Sequence, residues 1–520
     1  MIRGANAGTD WRPTAALRSG NIAGFSRRGV DVYLGIPYGA STSADDRFAP
    51  PRRHAGWSQT RSSLFYGPIA PSFTATSGVV GRGHDEDNYL LYRGSNGCTS
   101  GEDCLRANVW APQGPGSRPV MVYLHGGGFE SGSGNDLLAY DGTNLATNHD
   151  VVVVTANHRL NAFGFLDLAS LELHGYENHV NAGMQDLVLL LEWVRDNAAA
   201  FGGDPQNVTL FGQSGGGMKI ATLMAMPAAS GLFHRAIIQS GSMTDINERD
   251  DSHDLTLGFL RELGVDPSDP AAAGRLPVDR VLDAVKEFGA VWAPTVDGNI
   301  VAERLLGDDR APSSPLAARV PLIIGTNAAE FVNGVDNVSA SLFTTEQLES
   351  AARQEFGENA GPIVDCYRRT YPNETPFGLH AIISAWWTRK LAIDQLEAQR
   401  RRGGIAFGYL FNWAAPVLDE RIATYHACEI AYAFDNAQLC VNQTGGGQVA
   451  ARVASDMSAA WAAFARNGDP GHQGIPRWPS WTRDAPQTMV FDAPSRAVAD
   501  LDSEILRLTR GLAVPGMHNA

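Results

Sequence analysis

Five short apolar runs punctuate the sequence, and none of them alternates with polar residues. They are PVMVYLHG (119–126), VVVVTANHR (151–159), VTLFG (208–212), RAIIQSG (235–241) and VPLIIGTN (320–327). A strand with one face in water reads apolar-polar-apolar. A continuous apolar run of this length predicts a strand covered on both faces, as in a mostly parallel sheet. Helical spacing fills the gaps. In 181–201, Met184, Leu187, Val188, Leu191 and Val194 share one helix face, and the pattern stops before Gly202 and Gly203. Strand, helix and strand in this rhythm predict a doubly wound α/β sheet. In such sheets ligands sit beyond the carboxyl ends of the strands.

One of those strand ends carries unusual chemistry. VTLFGQSGGGMKI (208–220) sets a serine among glycines between two apolar runs. A bare G-x-S-x-G carries little in a chain with 56 glycines, so the context must carry it. Here a strand precedes and a helix from about Gly217 to Met226 follows, which is the setting of a nucleophile elbow. Gly212 and Gly216 permit the tight turn and the close strand-helix approach. Ser214 is therefore the candidate nucleophile. A glycine-rich corner without chemistry is the plain alternative, and a phosphate loop lacks its G-K-[ST] ending. A serine hydroxyl needs a base and needs donors for the developing oxyanion. YLHGGGF (123–129) offers the donors: three glycines directly after a buried strand. Gly127 and Gly128, together with the N–H of Gly215, form the candidate oxyanion hole, and His125 reads as a loop anchor.

Composition narrows the partners. The 520 residues carry a formal net charge of −15, with 44% hydrophobic and 19% charged residues. A large core is affordable, and an acidic balance argues against nucleic acid or an anionic membrane as partner. No run approaches the length of a membrane span. Five cysteines (Cys98, Cys104, Cys366, Cys428, Cys440) make no disulfide framework, although Cys98 and Cys104 are close enough to bridge. Neither C-x-x-C nor H-E-x-x-H occurs, so no metal site is indicated. The first residues, MIRGANAGTDWRPTAAL, lack the apolar core of a signal peptide. The plain reading is a cytoplasmic enzyme, with a secreted one whose leader has been removed as the alternative.

Further motifs carry a resemblance. GIPYGA (35–40), RFAPP (47–51), EDCLRANVW (102–110), NHRLNAFGFL (157–166), FGGDPQNVTLFG (201–212), GLFHRAIIQSGS (231–242) and WPSW (478–481) run in order along nearly the whole chain. With them the sequence resembles the type-B carboxylesterase family, the cholinesterase-like branch of the α/β-hydrolase fold. The resemblance implies one carboxylesterase domain over 1–520, a large mostly parallel sheet, and helical insertions over the active site. The helical, variable stretches at roughly 255–319 and 344–402 are read as those insertions. Trp386 and Trp387 either line a substrate pocket or sit in the core.

The family pattern also implies the other two catalytic residues. Its glutamate follows a strand in a stretch similar to IIGTNAAEF, which places it at Glu330. Its histidine opens a run similar to HACEIAYAFDN, which places it at His426. The order Ser214, Glu330, His426 agrees with α/β-hydrolases. Ser240, in the QSG stretch, is implied near the triad, or simply ends a buried strand. Three positions depart from the pattern. Gln213 stands where the family often has glutamate, which removes a buried charge. Gly215 stands where alanine is common, which leaves the N–H in place on a freer backbone. Cys104 lacks the distant upstream cysteine to which secreted relatives bridge it, which favours a reducing compartment or a bacterial-type member.

The expected reaction is hydrolysis of a small-molecule carboxylic ester by water through an acyl-enzyme, with no metal or organic cofactor. Amide, carbamate, thioester or lactone cleavage by the same triad is the alternative. A non-catalytic binding member of the family is a further one, disfavoured because serine, acid, histidine and glycine loop are all present.

Overall fold

The computed structural model describes residues 12–72, 99–307, 310, 312–332, 334, 337, 339–418 and 422–514. At its centre lies an 11-stranded sheet. In chain order the strands are β1 (Phe25–Arg27), β2 (Val30–Pro37), β3 (Arg106–Pro112), β4 (Arg118–Leu124), β5 (Val152–Ala156), β6 (Gly203–Gln213), β7 (Arg235–Gln239), β8 (Leu322–Asn327), β9 (Ala406–Phe411), β10 (Gln487–Phe491) and β11 (Arg496–Ala499). They lie in the order β11-β10-β9-β8-β7-β6-β4-β5-β3-β2-β1. From β5 through β10 every neighbouring pair is parallel, and the pairs outside that block are antiparallel. A small three-stranded sheet of Thr14–Leu17, Gly20–Ala23 and Arg61–Ser62 lies apart from it.

The continuous apolar runs have the expected cause. On β4, Val120, Val122 and Leu124 pack into one core, while Met121 and Tyr123 pack into a second core on the other face. Helices α1 (Ala182–Asn197) and α2 (Gly215–Ala225) supply the first core, and the long helix Gly447–Asn467 supplies the second with Val453, Met457 and Trp461. Each large side chain buried in this way contributes about 1.5–3 kcal/mol. On α1 the predicted face is buried except for Val188, which is half-buried, and burial extends to Leu189, Leu190 and Trp193. It also extends to Asp186, which pairs with buried Arg159 at 2.6 Å and accepts its backbone N–H at 3.0 Å. The helix is buried more widely than its pattern because one polar position is neutralised inside the fold.

Between β7 and β8 the chain forms helices Arg249–Leu263 and Val278–Phe288, and between β8 and β9 it forms Thr345–Phe356, Ala360–Thr370 and Pro376–Ser384. The stretch 344–402 ends in a helix of another kind, Trp386–Arg401, which packs on β8 and β9. That helix is part of the layer flanking the sheet and not wholly an insertion above it, because Ala392, Ile393 and Leu396 pack in one core with Leu322, Ile324 and Ala406 of the strands. Cys104, Cys366, Cys428 and Cys440 are buried free thiols, and Cys98 lies outside the described residues. Among the described residues no helix is long and apolar enough to cross a membrane.

Candidate active site

Strand direction assembles the site. The block of parallel strands sends the carboxyl ends of β4, β6, β8 and β9 to one edge of the sheet, and the candidate residues follow those ends. Gly126, Gly127 and Gly128 follow β4, Ser214 follows β6, and Glu330 follows β8 by three residues. His426 lies in the loop beyond β9, joined to Glu330 through a parallel bridge between Glu330 and Tyr425.

Ser214 sits between β6 and α2 with φ 56° and ψ −127°. A side chain held there at positive φ costs of order 1–3 kcal/mol and persists where the surroundings impose it. Two restraints do so here. The Ser214 N–H donates to the Gln239 carbonyl of β7 at 2.8 Å. Behind it Gly216 passes so close to β4 that a Cβ would lie 1.9 Å from the Leu124 oxygen. The helix begins two residues earlier than expected, at Gly215, so the Gly215 N–H is among the first-turn donors that a helix cannot satisfy itself.

Gly127 and Gly128 both take positive φ, 87° and 60°, and Gly128 lies directly against Gly215. A Cβ on Gly215 would meet the Gly128 oxygen at 2.3 Å and its nitrogen at 2.5 Å. Glycine at 215 is therefore more than a freer backbone: the glycine loop occupies the space that a side chain would take. His125 is buried, with Nδ1 2.8 Å from the Gly126 carbonyl and its ring stacked on His158, as a loop anchor should be.

Glu330 and His426 are brought together. Nδ1 of His426 lies 2.6 Å from Oε2 of Glu330, whose side chain is fully buried. Oε1 accepts the Asn327 N–H at 2.9 Å. The backbone locks the pair further: the Glu330 N–H donates to Thr424, and the His426 N–H donates to the Glu330 carbonyl at 2.7 Å. With Nδ1–H committed to the carboxylate, Nε2 of a neutral imidazole is an acceptor. The side-chain amide of Gln213 lies against the ring, its nitrogen 3.2 Å from Nε2 and 3.5 Å from Nδ1. The departure at 213 thus places a neutral donor on the face of the imidazole beside Ser214. Ser240, also at positive φ, has its Oγ 3.3 Å from the Asn327 N–H, so it joins the group that supports Glu330 and does not reach the imidazole directly.

A cavity of about 590 Å³ opens onto Ser214, Gly127 and Gly128. Its walls are mostly apolar, with Phe129, Met218 and Trp292 among them, and Glu130 and Asp245 are the charged residues that line it. Phe331 and Trp387 close one side as parallel rings, with centroids 5.6 Å apart and 4° between planes. Phe331 also lies 4.4 Å from the His426 ring, and it is 53% exposed, a large apolar surface left open beside the site. The two tryptophans divide: Trp387 lines the cavity, and Trp386 is buried with its indole N–H donated to Glu355 at 2.6 Å.

Sequence reasoning passed over several residues. Phe331 was legible as an aromatic next to the acid, but an aromatic after a strand is ordinarily core. Lys219 is the one charge in GGGMKIATLMA, and it is wholly buried. Glu429, three residues past His426, is fully buried too. It accepts from the side chains of Asn327 at 2.7 Å and Gln239 at 3.3 Å. Burial, and then the charge of Glu330, pushes its carboxyl up to about 7. It braces Asn327, which in turn holds Glu330. Glu429→Ala is expected to strand two buried amides and to destabilise the fold by about 2–4 kcal/mol. Urea unfolding at neutral pH measures this directly.

Residues 12–506 match the Carboxylesterase family. The para-nitrobenzyl esterase of Bacillus subtilis is 30% identical over 501 residues, covering 93% of this chain and 96% of its own. The phenmedipham hydrolase of Pseudarthrobacter oxydans is 31% identical, covering 94% and 97%. Among solved structures, an esterase from Clostridium hathewayi, described as able to hydrolyse aliphatic aromatic polyesters, superposes with a TM-score of 0.82 at 29% identity, covering 96% of this chain and 98% of its own.

Proposed function

The chain belongs to the carboxylesterase family, carboxylic ester hydrolases of the α/β-hydrolase fold, and from that premise we propose that it cleaves its ester through an acyl-enzyme on Ser214. The observation that carries this reading is the 2.6 Å contact between His426 and buried Glu330, beside a serine held at φ 56° over an apolar cavity.

Each group has one task. His426 takes the Ser214 proton as Oγ attacks the ester carbonyl, and then gives it to the leaving alcohol. Glu330 fixes the tautomer with Nδ1–H and stabilises the imidazolium. The N–H groups of Gly127, Gly128 and Gly215 receive the oxyanion. Removing one such donor typically costs about 2.7–4 kcal/mol of transition-state stabilisation. Water repeats the sequence on the acyl-enzyme.

The test is covalent. A fluorophosphonate should label one residue, and peptide mapping should put the adduct on Ser214. A p-nitrophenyl ester series from acetate to decanoate sizes the acyl site. An unlabelled protein that is inert on every ester would leave the non-catalytic reading.

One relative is named for phenmedipham hydrolysis, and this supports a second reading in which the same groups cleave an amide, carbamate, thioester or lactone. Paired ester and amide substrates with one acyl group separate the two. The Phe331–Trp387 pair favours an aromatic group in the substrate, since stacked aromatic contacts are worth about 0.5–1.5 kcal/mol beyond area. Phe331→Ala is expected to lower the ratio of kcat/KM for a phenyl ester to that for the matching ethyl ester by about 3–10-fold. The ratio is the readout because Phe331 also packs on His426.

A further inference from the structure

Lys219 sits in the first turns of α2, five residues past Ser214, and is 0% exposed. Its Nζ donates to the carbonyl of His125 at 2.9 Å and lies 5.8 Å from the centre of the Phe129 ring. Those two residues bracket Gly126, Gly127 and Gly128. One side chain therefore reaches from the helix that Ser214 opens to both ends of the glycine loop facing it. The titratable groups that face it are His125 and His158, stacked with centroids 5.0 Å apart. Beyond them lies the Arg159–Asp186 pair, already neutralised within itself. Among the described residues no carboxylate pairs with Lys219.

Such a group is costly to the fold. A buried ammonium without an anionic partner loses its hydration, and an apolar side chain of the same length would stabilise the helix better. Burial alone pushes Lys219 down from 10.5 to about 7, and its charge helps to hold His158 well below the usual imidazole range. A cost carried at this one place asks for a return at the same place.

We propose that Lys219 is a positioning residue of the oxyanion hole: its bond to the His125 carbonyl fixes the glycine loop against Ser214, and its positive charge behind the loop favours the tetrahedral oxyanion over the ground-state ester. The inference rests on Ser214 as nucleophile and on Gly127 and Gly128 as oxyanion donors. It adds a device to that machinery, in which the cation is held behind the backbone donors instead of touching the substrate.

Lys219→Met in the full chain tests it, since methionine keeps a stem of similar length without donor or charge. Active sites are counted by fluorophosphonate titration. Expected is a fall in kcat per titrated site of about 10–100-fold with KM within twofold. The affinity for a trifluoromethyl ketone, which forms a tetrahedral adduct on the serine, should fall by the same factor. Stability should move the other way. With the folded pKa near 7 and the unfolded one near 10.5, the unfolded chain binds more protons between those values. The penalty is therefore complete below pH 7 and is relieved as pH rises towards 10.5. The variant should melt at the same or a higher temperature than the parent, with the largest gain below pH 7.

An unchanged kcat per site overturns the proposal. So does a fall in kcat that comes with lost titratable sites and a lower melting temperature at every pH, the signature of a packing role. If the parent protein itself takes no label and hydrolyses no ester, both this inference and the serine-esterase reading fall. A labelled, active parent with an indifferent variant overturns this inference alone.

Discussion

Ser214→Ala is expected to lower kcat for p-nitrophenyl esters by about 10⁴–10⁶-fold and to abolish the initial burst of p-nitrophenol. The magnitude follows from what the other groups can do without a nucleophile. His426 and Glu330 remain paired, and the glycine loop still faces the cavity. They can bind an ester and polarise its carbonyl, but no acyl-enzyme forms, and residual hydrolysis must use water in a geometry built for a hydroxyl. The fold should hardly respond. The Ser214 N–H bond to Gln239 is made by the backbone, and alanine inherits the same φ. A melting temperature close to that of the parent, together with loss of fluorophosphonate labelling, is the expected pair of results. Retained turnover in a clean variant would move the nucleophile elsewhere.

Gly215→Ala should be nearly as damaging, by a different route. The added Cβ would sit 2.3 Å from the Gly128 oxygen, 2.5 Å from its nitrogen and 2.6 Å from its Cα. All three are backbone atoms, so no side chain can swing aside. Either α2 or the glycine loop must move, and α2 is pinned because a Cβ on neighbouring Gly216 would already lie 1.9 Å from Leu124. The loop is the part that yields, and with it go the N–H groups of Gly127 and Gly128. A displacement of about 1 Å can cost two orders of magnitude, and losing a donor outright about 10²–10³ in kcat. The expected outcome is a fall in kcat of that order with KM little changed, while fluorophosphonate labelling slows and still occurs. Activity near that of the parent would mean that the loop has room that the close contact denies. The resemblance read from the sequence implies alanine as a frequent residue at this place. Here the loop occupies the space that the methyl group would fill, so this packing excludes it.

The sheet was the most legible part of the chain. Runs such as 119–126 and 151–159 had to be buried on both faces, because nothing polar interrupts them. The glycines around Ser214 required a strand before and a helix after, and both are present. Glu330 and His426 were legible through the resemblance alone, since local pattern does not set one glutamate apart from the rest. Residues that act through space were hidden. Trp386 and Trp387 are neighbours in sequence with opposite fates, because consecutive helix positions point about 100° apart and only packing decides which one meets the cavity. Helix Trp386–Arg401 read as part of an insertion because its composition is mixed, yet its apolar stripe covers β8 and β9.

By itself the sequence determined the parallel sheet, the elbow and the glycine loop, because these rest on local rules: strand burial, turn geometry and the absence of a Cβ. Tertiary structure alone decided which groups face them. It set the 2.6 Å pairing across the 96 residues from Glu330 to His426, the Gln213 amide on the imidazole, and the Phe331–Trp387 wall. It also brought Lys219 to the back of the glycine loop, 94 residues away along the chain. Those contacts depend on strand order and register, which are properties of the whole sheet and of no single segment.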